Sequence, residues 1–132
     1  MNKLRVMIAE DHQDMCQVMV GFLKKNFEVV GAVHDGRDLV DAAASLLPDV
    51  IVSDISMPRL TGLQAMRELN ARGCKIPFLF VTSDPDLIMQ EALSYVDKLD
   101  VRLELVPAVE AVALGTQYIS ARARSQGTRS FQ

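Results

Sequence analysis

The sequence predicts an α/β fold: one domain built on a parallel sheet with helices on both faces. Three observations carry that prediction. Short, almost wholly apolar runs alternate along the chain with stretches whose apolar residues recur at helical spacing. The runs lack the polar alternation of a half-solvated strand, so both faces of the sheet must be covered. The runs also finish on polar side chains, with Glu10 and Asp11 after the first, Asp54 at the third and Thr82 at the fourth. Right-handed crossovers bring all such ends to one rim, where open α/β sheets hold their ligands.

Residues 4–9 (L-R-V-M-I-A) are the first strand. Met15, Val18, Met19, Phe22 and Leu23 then fall at i, i+3, i+4, i+7 and i+8, the stripe of an amphipathic helix. Residues 27–33 (F-E-V-V-G-A-V) are the second strand, and His34, Asp35 and Gly36 a turn. The second helix, residues 37–47, turns Leu39, Val40, Ala43, Ala44 and Leu47 inward, with Asp35 or Gly36 as its start signal. Val50, Ile51 and Val52 mark a third strand, residues 49–54, between Pro48 and a loop punctuated by Pro58 and Gly62. Residues 62–72 are the third helix and 76–82 (I-P-F-L-F-V-T) the fourth strand.

Beyond Thr82 two registers stand open. In one, S-Y-V-D-K at 94–98 closes the fifth strand on Lys98. In the other, the fourth helix runs over 86–99 and V-R-L-E-L at 101–105 is the strand. The last helix is read from Leu105, Val109, Val112, Thr116 and Ile119, with Pro107 acceptable only near its first turn, in a helix starting near Val106. Residues 1–121 then form the domain. Residues 122–132, with three arginines and no acid, are a flexible tail or linker, too short and too poor in aromatics for a nucleic-acid arm.

Composition narrows the function classes. A chain of 132 residues with 49% hydrophobic content buries a core without staples. A net charge of −3 gives no electrostatic footprint for nucleic acid, and no run is long enough to span a membrane. No leader pattern is expected, because the first apolar run stops at Glu10 and Asp11. Cys16 and Cys74 lack metal-ligand spacing and read as idle thiols of a reducing cytoplasm. His12 is expected to start a helix and His34 to be solvated in a turn; an oxygen-loving cation site has little use for either.

Taken alone, Asp54 could equally be a cap or turn residue, and Thr82 an ordinary strand end. Together with Glu10 and Asp11 they make a rim of three carboxylates and a hydroxyl, which repel unless a hard divalent ion such as Mg²⁺ relieves them. A carboxylate beside such an ion is equipped to attack a phosphoryl group.

The acid pair Glu10-Asp11, the run D-I-S-M-P at 54–58 with Gly62 beyond, and V-T-S at 81–83 together resemble the receiver domain of two-component response regulators. E-D-H at 10–12, V-V-G at 29–31 and A-V-E-A-V-A-L-G-T-Q-Y-I-S near the end resemble its NarL/FixJ-type branch most. The resemblance implies a flavodoxin-like (βα)5 doubly wound fold and a signalling switch, not an enzyme, that accepts a phosphoryl group on Asp54 from a histidine kinase or phosphotransfer protein. It further implies Mg²⁺ held by Asp11, Asp54 and the backbone carbonyl of Ser56, with Glu10 acting through a bound water. S-Y-V-D-K at 94–98 resembles the family's G-Y-x-x-K, which favours the register ending on Lys98 and implies a fourth helix short by one to two turns. By the same likeness Thr82 is the switch hydroxyl, Tyr95 the switch aromatic and Lys98 the cation facing the phosphoryl oxygens, while Ser56 and Asp84 tune loss of the acyl phosphate. A cytoplasmic stand-alone receiver or the front of a transcriptional regulator is expected, with a homodimer through the fourth helix, fifth strand and fifth helix. Two alternatives stay open. A haloacid-dehalogenase-type phosphatase would want a second carboxylate where Ser56 stands. A pseudo-receiver, an interaction module that has lost phosphorylation, would follow if the lysine were displaced.

Overall fold

The computed structural model describes residues 3–91 and 93–121, without the side chain of Leu87. The tail expected over 122–132 lies outside the described residues. Five strands, β1 (Arg5–Ala9), β2 (Glu28–Val33), β3 (Val50–Asp54), β4 (Phe78–Thr82) and β5 (Tyr95–Asp97), form one sheet in the order β2-β1-β3-β4-β5, every pair parallel. All of β3 and β4 is buried, whereas β2 at the edge is half-exposed, which is why only its central neighbours read as unbroken apolar runs.

The helices are α1 (Gln13–Leu23), α2 (Gly36–Leu46), α3 (Gly62–Ala71), α4 (Asp86–Gln90) and α5 (Val101–Ala113). Successive strand residues point to opposite faces, so Val6, Ile8, Val50, Val52, Leu79 and Val81 pack with α1 and α5. Met7, Ala9, Ile51, Phe78 and Phe80 pack with α2, α3 and Ile88 of α4. Local chemistry fixes the helix ends. Asp35 accepts a hydrogen bond from the Asp38 amide at the start of α2, and Thr61 and Gln64 make a reciprocal capping box at the start of α3. Gly115, at φ +84°, ends α5: the Gly115 amide donates to Val112 and the Thr116 amide to Ala111.

Several expectations are corrected. In α1 the inward set is Cys16, Met19 and Leu23, while Val18 is 47% exposed. Leu47 is not inward; it takes the left-handed C-cap of α2 at φ 49° and is 58% exposed. The register with a strand at 101–105 is overturned, because those residues are the first turns of α5 and β5 ends immediately before Lys98. With α5 starting at Val101, Pro107 stands in the helix interior, on the exposed side, and not in a first turn. Its ring leaves the Leu103 carbonyl without the usual amide donor. Thr116 and Ile119 lie past the helix, and Ile119 makes a parallel bridge to Tyr95.

Candidate functional site: three acids and a lysine at the strand ends

β1, β3 and β4 deliver their last residues to one rim. Ala9 pairs with Ser53 and Asp54 with Val81, which sets Glu10, Asp54 and Thr82 side by side. Glu10 is fully buried, its amide donating to the Val33 carbonyl. Its Oε2 accepts the His12 amide at 3.2 Å. Asp54 is 4% exposed, and its Oδ1 accepts the amide of Ile55 at 2.7 Å. Lys98, delivered by the end of β5, donates from Nζ to Asp54 Oδ2 at 3.0 Å and stands 3.6 Å from Glu10 Oε1. Residues 44 positions apart thus make the central ion pair.

The electrostatics follow from burial. Desolvation, reinforced by the Asp54 charge, pushes the Glu10 carboxyl above its ordinary value, against the pull of the His12 amide and Lys98. Burial acts against the Lys98 ammonium too, yet the hydrogen bond and charge of Asp54, with Glu10 added, prevail and raise its pKa. One cation therefore faces two buried carboxylates, with Asp11 beside them.

Glu10, Asp11, His12 and Asp54 each offer a ligand atom, and these atoms lie within 4.8 Å of one another. Glu10 Oε1 and Asp11 Oδ1 are buried with no hydrogen-bond partner among the described residues, a costly state for carboxylate oxygens. Carboxylate oxygens that cluster without a hydrogen bond between them and a donor fit a hard divalent cation. His12 was expected only to start a helix. It does cap α1, but its Nδ1 also sits 3.3 Å from Asp11 Oδ1 and 3.4 Å from Glu10 Oε2. His34 is exposed as expected, and its Nδ1 pairs with the Glu10 carbonyl at 3.0 Å.

Thr82, 5% exposed, reaches the rim, but its hydroxyl is engaged with the backbone of Asp84: it accepts the Asp84 amide at 3.0 Å and lies 3.1 Å from the Asp84 carbonyl. Ser56 lies exposed in the loop two residues past Asp54. Tyr95 is 1% exposed, with its hydroxyl unpaired among the described residues. One contributor was missed by motif reading: at Gly62 a Cβ would come within 2.2 Å of the Asp54 carbonyl oxygen, so only glycine lets α3 start against the acid's own backbone. Gly62 was legible as a turn signal, but not as a wall of the site. Cys16 is buried, burial pushing its thiol up, and Cys74 is free. No helix of the described residues is long and apolar enough to cross a membrane.

Comparison with known proteins agrees with this geometry. Residues 6–101 match the response regulator receiver domain. The chain is 38% identical over 100 residues to a protein-glutamate methylesterase/protein-glutamine glutaminase of Geobacter sulfurreducens, covering 74% of this chain and 26% of that protein. It is 32% identical over 126 residues to the transcriptional regulatory protein DegU of Brevibacillus brevis, covering 89% and 53%. It therefore spans from about a quarter to about half of the length of these curated relatives. The signal receiver domain of NarL from Mycobacterium tuberculosis superposes with a TM-score of 0.81 at 27% identity, over 87% of this chain and 99% of that one. A sheet order, an acid cluster and a family match over residues 6–101 agree, and this chain belongs to the family of response regulator receiver domains.

Proposed function

We propose that Asp54 is the phosphoacceptor of this receiver domain, loaded by a histidine kinase or phosphotransfer protein. The observation that supports it most is the direct Lys98–Asp54 hydrogen bond. It sets a cation where charge on phosphoryl oxygens would have to be balanced, and it removes the displaced lysine on which a pseudo-receiver reading depends. In the step itself an Asp54 carboxylate oxygen bonds to phosphorus, the phosphorus–nitrogen bond of the donor breaks, and the leaving imidazole keeps the electron pair. The Ile55 amide orients the carboxylate through Oδ1, leaving Oδ2 toward Lys98.

Asp11, Asp54 and the Ser56 carbonyl are assigned as ligands of Mg²⁺, with Glu10 acting through water. When bound, the ion supplies positive charge to the phosphoryl oxygens. Thr82 is assigned as the responding hydroxyl, which requires it to exchange its Asp84 partners for a phosphoryl oxygen. The same reading takes residues 1–121 as the signalling domain, 122–132 as tail or linker, and the cytoplasm as its place of action. A homodimer through α4, β5 and α5 also belongs to it, although that face has a five-residue α4 and a β5 edge already bridged by Ile119. Light scattering with and without a phosphoryl mimic checks the dimer, and a monomer in both states counts against it.

Acetyl phosphate with Mg²⁺ tests the acceptor. Wild type is expected to gain an acid-stable, base-labile phosphoryl mass, and Asp54→Asn none. Retention of the label in Asp54→Asn identifies a different acid, and an unlabelled wild type beside labelled control receivers returns the pseudo-receiver.

A further inference from the structure

The chain does not leave the domain freely after α5. Past Gly115 it turns back along β5, where the Tyr95 amide donates to the Tyr118 carbonyl at 2.9 Å and Ile119 makes a parallel bridge to Tyr95. The Tyr118 amide donates to Ser94 Oγ at 3.0 Å. Tyr118 packs on the α1/α5 side of the sheet and Ile119 on the α2/α3 side, the alternation of a strand. Glu104 of α5 fastens the segment. Its carboxylate accepts the Tyr118 hydroxyl at 2.9 Å, the Ala121 amide at 3.2 Å and the Ser120 hydroxyl at 3.3 Å. Ser120 is fully buried.

We infer that residues 118–121 are a latch on the outer edge of β5, held by Glu104, whose closure is coupled to occupancy of Asp54. The coupling element is β5 itself. It has three residues, and the 3₁₀ turn Lys98–Asp100 follows at once, so little backbone separates the ammonium on Asp54 from Ser94 and Tyr95, the residues the latch holds. The closed latch belongs to the state in which Lys98 bonds Asp54 directly. A group inserted between the two forces Lys98 back, and β5 passes the displacement to the Tyr95–Tyr118 hydrogen bond. The Tyr95 hydroxyl, buried and unpaired among the described residues, marks this strand as poorly satisfied in its present position. The domain thereby passes the state of Asp54 to the chain beyond residue 121. Linkage makes the effect reciprocal: whatever opens the latch favours the occupied site by the same factor.

The inference rests on the proposed function, so the test separates the two. Beryllofluoride with Mg²⁺ is the probe, its binding followed by fluorine NMR and its effect by amide hydrogen exchange. Exchange of the Tyr95, Tyr118 and Ala121 amides is expected to quicken about fivefold or more on binding. Tyr118→Phe and Ser120→Ala, which each remove one Glu104 contact outside the Glu10, Asp11 and Asp54 cluster, are expected to bind beryllofluoride more tightly than wild type. Bound beryllofluoride with unchanged exchange at those amides, or with both variants at wild-type affinity, overturns the latch and leaves the acceptor standing. Absence of any bound fluorine signal overturns the acceptor and the latch together.

Discussion

At the scale of single residues, the Lys98–Asp54 pair is the central contact of the rim. Two buried carboxylates and a third beside them would be a net cost to the fold without a cation, and among the described residues Lys98 is the side chain bonded to Asp54 that supplies positive charge. Lys98→Met keeps the apolar stem and removes the charge; labelling by acetyl phosphate is expected to slow about tenfold or more, read by mass spectrometry over time. An unchanged rate would mean the ammonium takes no part. Asp35 plays a simpler role. The Asp38 amide and then Arg59 hold its carboxyl below the usual value. A depressed carboxyl stabilises the fold above its unfolded pKa, and the contribution is lost as pH falls through the lower folded value. The urea midpoint of wild type is therefore expected to exceed that of Asp35→Asn near neutrality, and the gap to close on acidification below about pH 4.

At the scale of elements, the strongest sequence signals proved the most legible. β3 and β4, buried along their whole length, have to be apolar throughout, and their polar ends at Asp54 and Thr82 stand out. Lys98 was legible only through the likeness of S-Y-V-D-K to the receiver pattern, because the three-residue strand gives almost no period to count. The end of α5 was misplaced for a physical reason. Thr116 and Ile119 continue a helical spacing by coincidence, and the stop signal was Gly115, whose left-handed conformation costs other residues more. Val18 and Leu47 misled in the same manner, since an apolar residue at a helical interval can still face water. His12 entered the acid cluster because an N-cap residue sits against the strand end it follows, which periodicity does not report. The start of α3 offers a test at this scale. Gly62→Ala would set a methyl 2.2 Å from the Asp54 carbonyl oxygen and 2.8 Å from Ser53 Oγ, both held by the buried end of β3. A loss of about 1–3 kcal/mol in urea unfolding is expected, with slower labelling at Asp54. Unchanged stability would show that α3 can shift without cost.

At the scale of the whole molecule, a doubly wound sheet turns acids distant in sequence into one site, and the cores on its two faces hold them in place. A divalent ion held there would relieve the crowding and stabilise the folded state by mass action, by about 2.7 kcal/mol at a hundred times its dissociation constant. The direct measurement is the urea midpoint of wild type and Asp11→Asn with and without Mg²⁺. Wild type is expected to gain stability with Mg²⁺. Asp11→Asn is expected to be no less stable than wild type without Mg²⁺, because one of the crowded charges is gone, and to gain nothing from it. Equal gains in the two proteins, or none in wild type, would contradict a metal held between the acids of β1 and β3.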